Sequence, residues 1–563
     1  MEFEEFAARA RDVEAESADH AIRDHVTDLF AAAGPDLPVL ARFVQGRVFP
    51  AHDSTKLDVG PALCHEALAR AAGPNVDADD VEARLAEVGD IGEVAAGYDL
   101  GGQQGLAAFG GDSDDEGGDA LTVAAVDERL RAVAAAEGDG SRDTMRDTLF
   151  GLFNRASADE ARYLARLVLS EMRIGVGEGT VRDAIAAAFD VPVESVERAL
   201  QVTNDYGEVA VVAREAGQSG LDDLDLRVGR PVQAMLAQAG SVTDALEEWD
   251  AAAVEWKFDG ARVQVHYHDD PSGGNDAETV ALYSRNMEDV TDPLPEVVAS
   301  VRETVDPPVI LDGEVVAVDD DGDPLPFQEV LTRFRRKHDV ARAREDVAVE
   351  LRVFDCLHAR GTDLLDDPLR ERHDRLREVV GDAAAVSTLT ISDDPDEIEA
   401  VETAALSAGH EGIMLKDPES TYSPGRRGRE WLKRKPDVET LDLVVTGAEW
   451  GEGRRANVLG TFEVSAGTDD GYATLGNVAT GITDEGLADL TDRLEPHVRS
   501  EDGTAVDLVP EVVFEVGYEE IQTSSTYASG YALRFPRFLG VREDKDPSDA
   551  DSLDRVARLA DSQ

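Results

Sequence analysis

The chain has 563 residues, 42% hydrophobic and 6% aromatic, which is too long for one core at about 100 to 200 residues per domain and points to three or four domains. Its 118 acidic residues outnumber 54 basic ones for a formal net charge of −64, and no run of about 18 uninterrupted apolar residues offers a membrane span. Two cysteines, Cys64 and Cys356, exclude a disulfide scaffold or a four-cysteine zinc site, and the acidic, amphipathic start MEFEEFAARARDVEAE lacks a secretory pattern, so an intracellular, cytoplasmic protein is expected.

The basic residues are lopsided, with seven lysines against 47 arginines. An acid-rich, lysine-poor chain built on Ala, Val, Asp and Gly is similar to proteins of salt-in halophiles, where molar salt shortens the Debye length to about 3 Å and hides self-repulsion. Net charge then says little about partners, and only local cationic clusters bear on nucleic acid.

Residues 1–215 read as helices, because apolar residues recur at i, i+3 and i+4 between turn signals. In ARYLARLVLSEMRIGVGEG, Tyr163, Leu164, Leu167, Val168 and Met172 share a face, which breaks at Gly175, Gly177 and Gly179 before TVRDAIAAAF. A glycine turn opening a helix suits a phosphate and equally suits a plain connection. Residues 110–119, GGDSDDEGGD, read as a flexible acidic insertion. Just before them, Gln103, Leu106 and Phe109 resemble a degenerate sliding-clamp-binding box with one aromatic missing.

Residues 216–440 change texture. VEWKF, RVQVHYH, TVALYSR, VILDGEVVAV and ELRVFDCL predict strands, with helices at 326–338 and 368–380 between them, giving an α+β domain. Residues 441–563 carry LDLVVTGAEW, TFEVSAG, YATLGNVATG and VVFEVGYEEI, in which Val512, Phe514, Val516 and Tyr518 point one way and Val513, Glu515 and Glu519 the other. Several short strands in so small a domain predict a β-barrel, closed by a C-terminal helix in ADSLDRVARLAD.

Arginine is not deprotonated in a protein, whereas lysine can become a neutral amine and a nucleophile, so each lysine retained in this chain asks for a reason. Lys257 lies in Glu255-Trp-Lys-Phe-Asp-Gly-Ala-Arg262, on a strand ending in a glycine turn, with Asp259 two residues on and an arginine past the turn. Desolvation and nearby cations favour the neutral amine, which opens the way to a covalent phosphoramidate; a surface lysine paired with Asp259 fits the same four residues.

The Lys257-Phe-Asp-Gly-x-Arg262 pattern resembles the first motif of the covalent nucleotidyltransferases, and later segments resemble the others in order. These are Ser284-Arg285-Asn286, Leu311-Asp-Gly-Glu314, Val353-Phe354-Asp355, Glu411-Gly-Ile-Met-Leu-Lys416, Trp431-Leu-Lys433-Arg-Lys435 and Arg534-Phe-Pro-Arg537 through Arg542-Glu-Asp-Lys545. Five of the seven lysines fall inside these motifs; Lys56 and Lys337 do not. The segment Arg162 to Gly179 is similar to the DNA-binding domain of archaeal and eukaryotic replicative ligases. The whole chain therefore resembles an archaeal ATP-dependent DNA ligase, and a halophilic source accounts for the acidity.

The resemblance implies an all-α DNA-binding domain at 1–215, an adenylation domain at 216–440 and an OB-fold domain at 441–563. It implies nick sealing in duplex DNA during replication, repair and recombination, through a lysine-AMP intermediate, with ATP as AMP donor and Mg²⁺ on the phosphates. Lys257 is then the nucleophile, and Asp259 serves sealing by orienting metal or the 3′-hydroxyl. Glu255 holds the adenine edge, Phe354 stacks on the ring, and Arg262 reaches the ribose. Arg285 meets the ribose or the nick phosphate, and Glu314 and Glu411 hold the metal. Arg429, Lys433 and Lys435 form a cationic strand, its two lysines on the α-phosphate. The sixth motif orients pyrophosphate if the last domain closes. A monomer with arginine-to-phosphate DNA contact is expected, the candidate clusters being Arg333, Arg335, Arg336 and Lys337, and Arg426, Arg427 and Arg429. RNA ligase or capping enzyme is the nearer alternative, and a non-catalytic repair scaffold the more distant one. NAD-dependent ligases differ by their four-cysteine zinc site.

Overall fold

Capping chemistry sets the helices that fill the first part of the chain, from Phe3–Glu14 to Tyr206–Asp222. Helix Ala158–Val168 opens on a capping box: Ser157 Oγ accepts from the Glu160 N–H while the Glu160 carboxylate accepts from the Ser157 N–H. It buries Tyr163, Leu164, Leu167 and Val168, as the periodicity predicts. The helix ends at Val168, earlier than the shared face through Met172 suggests, because Ser170 and Arg173 adopt φ of 57° and 54° and turn the chain. Met172 stays buried from the loop, and the next helix, Glu178–Phe189, starts after Gly177. Arg166, 2% exposed, ties three elements by donating to Glu14 at 2.9 Å and Asp90 at 3.0 Å. The computed structural model describes residues 1–100, 120–138, 140–269, 278–319, 322–334, 340–381, 385–435, 439–451, 458–468, 471–518, 520–524, 526–542 and 544–560. The proposed clamp box at Gln103, Leu106 and Phe109 lies outside them.

The chain divides into two compact units, Met1–Arg434 and Lys435–Gln563. Within the first, the central region builds two sheets. One contains β1 (Gln238–Ala239), β2 (Ala252–Lys257), β8 (Thr390–Ser392), β9 (Gly412–Lys416) and β10 (Trp431–Arg434), in the order β1-β10-β9-β2-β8. The other contains β3 (Ala261–Asp269), β4 (Glu278–Ser284), β5 (Val309–Val318), β6 (Ala348–Ala359) and β7 (Thr362–Asp363), in the order β4-β3-β5-β6-β7. All five expected strands of this region form. The helices at Phe327–Phe334 and Leu369–Val379 form too, while Pro295–Thr304 and Pro395–Ser407 are additions.

Alternation sorts the faces. Val263, Val265, Leu311 and Val315 bury in an apolar core on one side of the second sheet. Val254, Ile413, Leu415 and Leu432 pack with Ile398 and Ala405 of helix Pro395–Ser407 on one side of the first. The remaining faces carry the polar residues. The Arg372–Asp355 pair is fully buried, with guanidinium nitrogens 2.8 and 2.9 Å from the two carboxylate oxygens.

The helical region is fastened to the central one by polar contacts: Arg426 donates to Glu197 at 3.0 Å, Arg230 to Glu208 at 2.6 Å, and Lys56 pairs with Glu288. Arg333, expected on a DNA-facing surface, is instead 1% exposed and spends its guanidinium on the carbonyls of Val347 and Pro293 and on Glu296. The amphipathic helix Phe327–Phe334 turns it inward with Val330, and Arg335, Arg336 and Lys337 lie outside the described residues.

The second unit is strand-rich. β11 (Glu439–Trp450) pairs with β12 (Leu459–Thr468) on one edge; on the other it pairs with β16 (Val513–Tyr518) near its start and β15 (Ala505–Leu508) near its end. β13 (Gly471–Val478), β14 (Val498–Asp502) and β19 (Arg537–Val541) extend the sheet, and β17 (Glu520–Thr523) pairs with β18 (Tyr531–Arg534). Val512, Phe514, Val516 and Tyr518 are buried as expected, but so is Val513, 1% exposed. Helix Leu553–Ala560 closes the chain through Val556.

Asp355→Ala strands Arg372 in the interior, and a loss of about 3 to 5 kcal/mol is expected in urea unfolding in molar KCl. The paired replacement Asp355→Leu with Arg372→Met should recover most of it.

Candidate active site

Register lines up one face of the first sheet. Glu255 lies opposite Met414, which lies opposite Lys433, and the row beside it runs Ala253, Lys416, Trp431. Lys257, two residues from Glu255, ends β2 on the same face opposite Gly412. The Glu411 N–H donates to the Lys257 carbonyl at 3.0 Å, which brings the two side chains together, and Lys257 Nζ donates to Glu411 Oε2. The following turn must be tight: a Cβ on Gly260 would stand 2.4 Å from the Val315 carbonyl, so only glycine lets β3 start so close to β5. Asp259 accepts from the Phe327 N–H at 3.2 Å.

The polar face of the second sheet presents the row Arg262, Glu314, Arg352. Arg262 makes a two-point pair with Asp312 at 3.0 and 2.6 Å and donates to the Met235 carbonyl at 2.6 Å. Tyr422 closes the network, donating to Asp312 at 2.7 Å and accepting from the Met235 N–H at 3.0 Å. Arg262 therefore rests on an internal partner in the structure, with its guanidinium 5.4 Å from the Phe354 ring centre and 5.6 Å from that of Trp431.

Glu255 and Lys416, 2% and 1% exposed, form an ion pair, and Lys416 Nζ sits 4.7 Å from the Phe354 ring centre and 4.2 Å from that of Trp431. Glu255 Oε1 and Trp431 Nε1 are buried with no hydrogen-bond partner. A buried acceptor and a buried donor left without partners cost free energy unless something satisfies them. Sequence reasoning quoted Lys416 and Trp431 within motifs without giving them a role. A lysine where arginine is the rule was the available signal for the first.

Glu314 is pushed up to about 8, first by desolvation and then by the Glu411 and Asp312 carboxylates, against the pull of Lys257 and Arg262. The Glu411 charge thus acts on Glu314 across the space between them. Among the described residues no cluster of three or more His, Cys, Asp or Glu forms a protein-only metal cage.

The other expected residues are scattered. Arg285 is exposed in the turn after β4, and Arg429 is exposed and bonded to Glu248 at 2.7 Å. Lys433 lies on β10, and Lys435 is the first residue of the second unit. In that unit Arg542 and Lys545 both pair with Asp442, and Arg537 is exposed.

Three family descriptions cover the chain: DNA ligase N terminus over residues 2–186, ATP dependent DNA ligase domain over 234–435, and ATP dependent DNA ligase C terminal region over 455–545. The DNA ligase of Haloarcula marismortui is 70% identical across the full length of both chains. The chain belongs to the ATP-dependent DNA ligases. The DNA ligase of Natronomonas pharaonis is 69% identical over 99% of this chain and all of its own, so this ligase has near relatives in haloarchaea. A solved structure described as "Pmar-Lig_PreS3" covers 95% of this ligase and 99% of its own chain at 16% identity and a TM-score of 0.56, a likeness of fold. Helical, nucleotidyltransferase and strand-rich regions follow one another as in other ATP-dependent ligases. Among the described residues no helix is long and apolar enough to cross a membrane.

Burial pushes the Glu314 carboxyl up to about 8 from 4.5 for an ordinary glutamate, so between those values the folded ligase holds a proton that the unfolded chain has lost, and stability from this group falls as pH rises. In EDTA, Glu314→Gln should gain stability relative to the parent as pH climbs from about 5 to 8, read from urea midpoints at each pH.

Proposed function

We propose that this ligase seals nicks in duplex DNA through a phosphoramidate between Lys257 Nζ and AMP, followed by an adenylated 5′-phosphate. The observation that carries the reading is the single face on which Lys257, Glu411, Glu255, Lys416 and Lys433 stand together, opposite Glu314 and Arg262. Adenine fits between Phe354 and Met414, with Glu255 Oε1 accepting a hydrogen bond from its amino group and Lys416 and Trp431 supplying donors. The ribose falls to Arg262 and Glu314, and Arg285 serves the ribose or the nick phosphate.

Lys257 releases its proton to solvent and its lone pair attacks the α-phosphorus; the bond to the pyrophosphate oxygen breaks as the N–P bond forms, and pyrophosphate leaves. Lys433 and Lys435 offset charge on the α-phosphate; Arg429, read with them as one cationic strand, instead lies in the bend before β10. Glu314 and Glu411 fit Mg²⁺, which is held by one or two carboxylates and takes its other oxygens from water and phosphate. When bound, the cation neutralises charge on the phosphates. The AMP then passes to the 5′-phosphate of the nick, and the 3′-hydroxyl, oriented with the help of Asp259, displaces it. Each step is phosphoryl transfer, in which alignment and charge do the work.

The strand-rich region is read as an OB-fold barrel, supported by the pairing of β11 with three different strands. Boundaries at 215/216 and 440/441 divide the DNA-binding, adenylation and OB-fold domains, and motion of the last domain gates adenylylation against sealing. Duplex contact is sequence-independent, through exposed arginines such as Arg427; a DNA phosphate would displace Glu197 from Arg426 and Glu248 from Arg429. A cytoplasmic monomer, with Gln103, Leu106 and Phe109 meeting a sliding clamp, completes the reading.

With α-labelled ATP and Mg²⁺ in molar KCl, the protein should take up acid-labile, hydroxylamine-sensitive label at Lys257, and Lys257→Arg, which keeps the charge, should take up none. An adduct on the arginine variant, or none on the parent, ends the proposal. Arg537→Ala should lower adenylylation about tenfold or more while a pre-adenylated nick is sealed at nearly the parent rate. Equal loss in both assays would remove Arg537 from pyrophosphate handling.

A further inference from the structure

The face of the first sheet that turns away from Glu255 and Lys257 packs on helix Pro395–Ser407, and beside that helix a cleft of about 680 Å³ opens. Trp256, Phe258 and His410 line it, the His410 ring centre 5.2 Å from that of Trp256 and 5.0 Å from that of Phe258. Ser387, 3% exposed, lines it too, and its Oγ has no hydrogen-bond partner; neither has His410 Nδ1. Arg352 and Glu397 contribute one charge of each sign. No residue of the proposed adenine pocket, Glu255, Phe354, Met414, Lys416 or Trp431, borders this cleft, and Arg352, at the end of the row with Arg262 and Glu314, is the one cleft residue that also belongs to that row.

A buried hydroxyl and a ring nitrogen left unpaired are costly unless something satisfies them. His410 Nδ1, buried at the cleft wall without a partner, can match one polar atom of an occupant. Flat aromatic walls favour a flat guest, and offsetting charges on the lining favour an uncharged one. The volume lies within the range of about 300 to 1,000 Å³ common for small-molecule sites.

We infer that this cleft is a binding site, separate from the nucleotide face, for an uncharged planar heteroaromatic molecule that presents an N–H donor and a ring-nitrogen acceptor to Ser387 and His410. Trp256 and His410 are the chain neighbours of Lys257 and Glu411, so the occupant sits one residue from the proposed nucleophile and its partner.

Benzimidazole has this chemistry and serves as the probe. The full chain, carrying 5-fluorotryptophan at its four tryptophans, is titrated in molar KCl and followed by fluorine NMR, with the Trp256 resonance assigned from Trp256→Phe. The titration is run on the untreated protein and again after treatment with ATP and Mg²⁺, so that its outcome does not depend on adenylylation. A saturable shift of the Trp256 resonance with Trp431 unmoved is expected in both. Ser387→Ala should weaken it up to about tenfold, the worth of one buried hydrogen bond. Ala404→Trp, which fills the cleft, should abolish the shift, and Ala400→Leu, a smaller filling from the same helix, should weaken it if the larger one unfolds the protein. The inference fails if no saturable shift appears up to the solubility of the probe. It fails equally if the Trp431 resonance leads, or if the shift survives the filling variants unchanged.

Discussion

The Arg262–Asp312–Tyr422 network is the constraint on which the central region depends. Arg262 and Asp312 belong to one sheet, while Tyr422 lies between two strands of the other, so their hydrogen bonds set the distance at which the two polar faces stand. A buried charge of this kind is tolerated only when every lobe is matched, and here the guanidinium is matched by two carboxylate oxygens, a carbonyl and a phenol oxygen. Slippage by one residue in β3 or β5 would turn Arg262 or Asp312 toward the apolar core and move Glu314 off the face opposite Lys257.

That geometry explains why so many ionisable groups share a small volume. Lys257 is paired with Glu411, Lys416 with Glu255 and Arg262 with Asp312, which leaves Glu314 as the carboxyl on which desolvation acts most visibly. Glu255 Oε1 and Trp431 Nε1 remain unpaired after this pairing, the Trp431 ring centre lying 6.3 Å from that of Phe354. The proposed nucleotide chemistry uses groups the fold has already desolvated and aligned, so little reorganisation is required when substrate enters.

Surface charge follows a different logic. Arginines that read as DNA-binding clusters in the sequence are committed in several cases to acidic neighbours: Arg426 to Glu197, Arg429 to Glu248, and Arg333 to the interior. In a chain of net charge −64 an unpaired cation is seldom far from a carboxylate, so a run of arginines says less here than in a neutral protein. Such exposed pairs contribute little to stability, and molar salt weakens them further.

Much of the ligase was legible along the chain because its signals are local. Alternation placed the β3, β5 and β6 strands, the helical period placed Tyr163, Leu164 and Leu167 inside, and the scarcity of lysine drew attention to Lys257. Local signals missed the early stop of helix Ala158–Val168, where two residues with positive φ turn the chain, and the helix Pro395–Ser407, whose short apolar side chains give a weak periodic pattern. The order of elements and the faces of the central strands were determined by sequence alone, since each depends on residues within a few positions of one another. Which carboxylate meets Lys257, which arginine disappears into the core and which polar atoms are left unpaired were decided only by tertiary structure. Those outcomes depend on register between strands far apart in the chain, and on the cost of removing a charge from water, which no local pattern records.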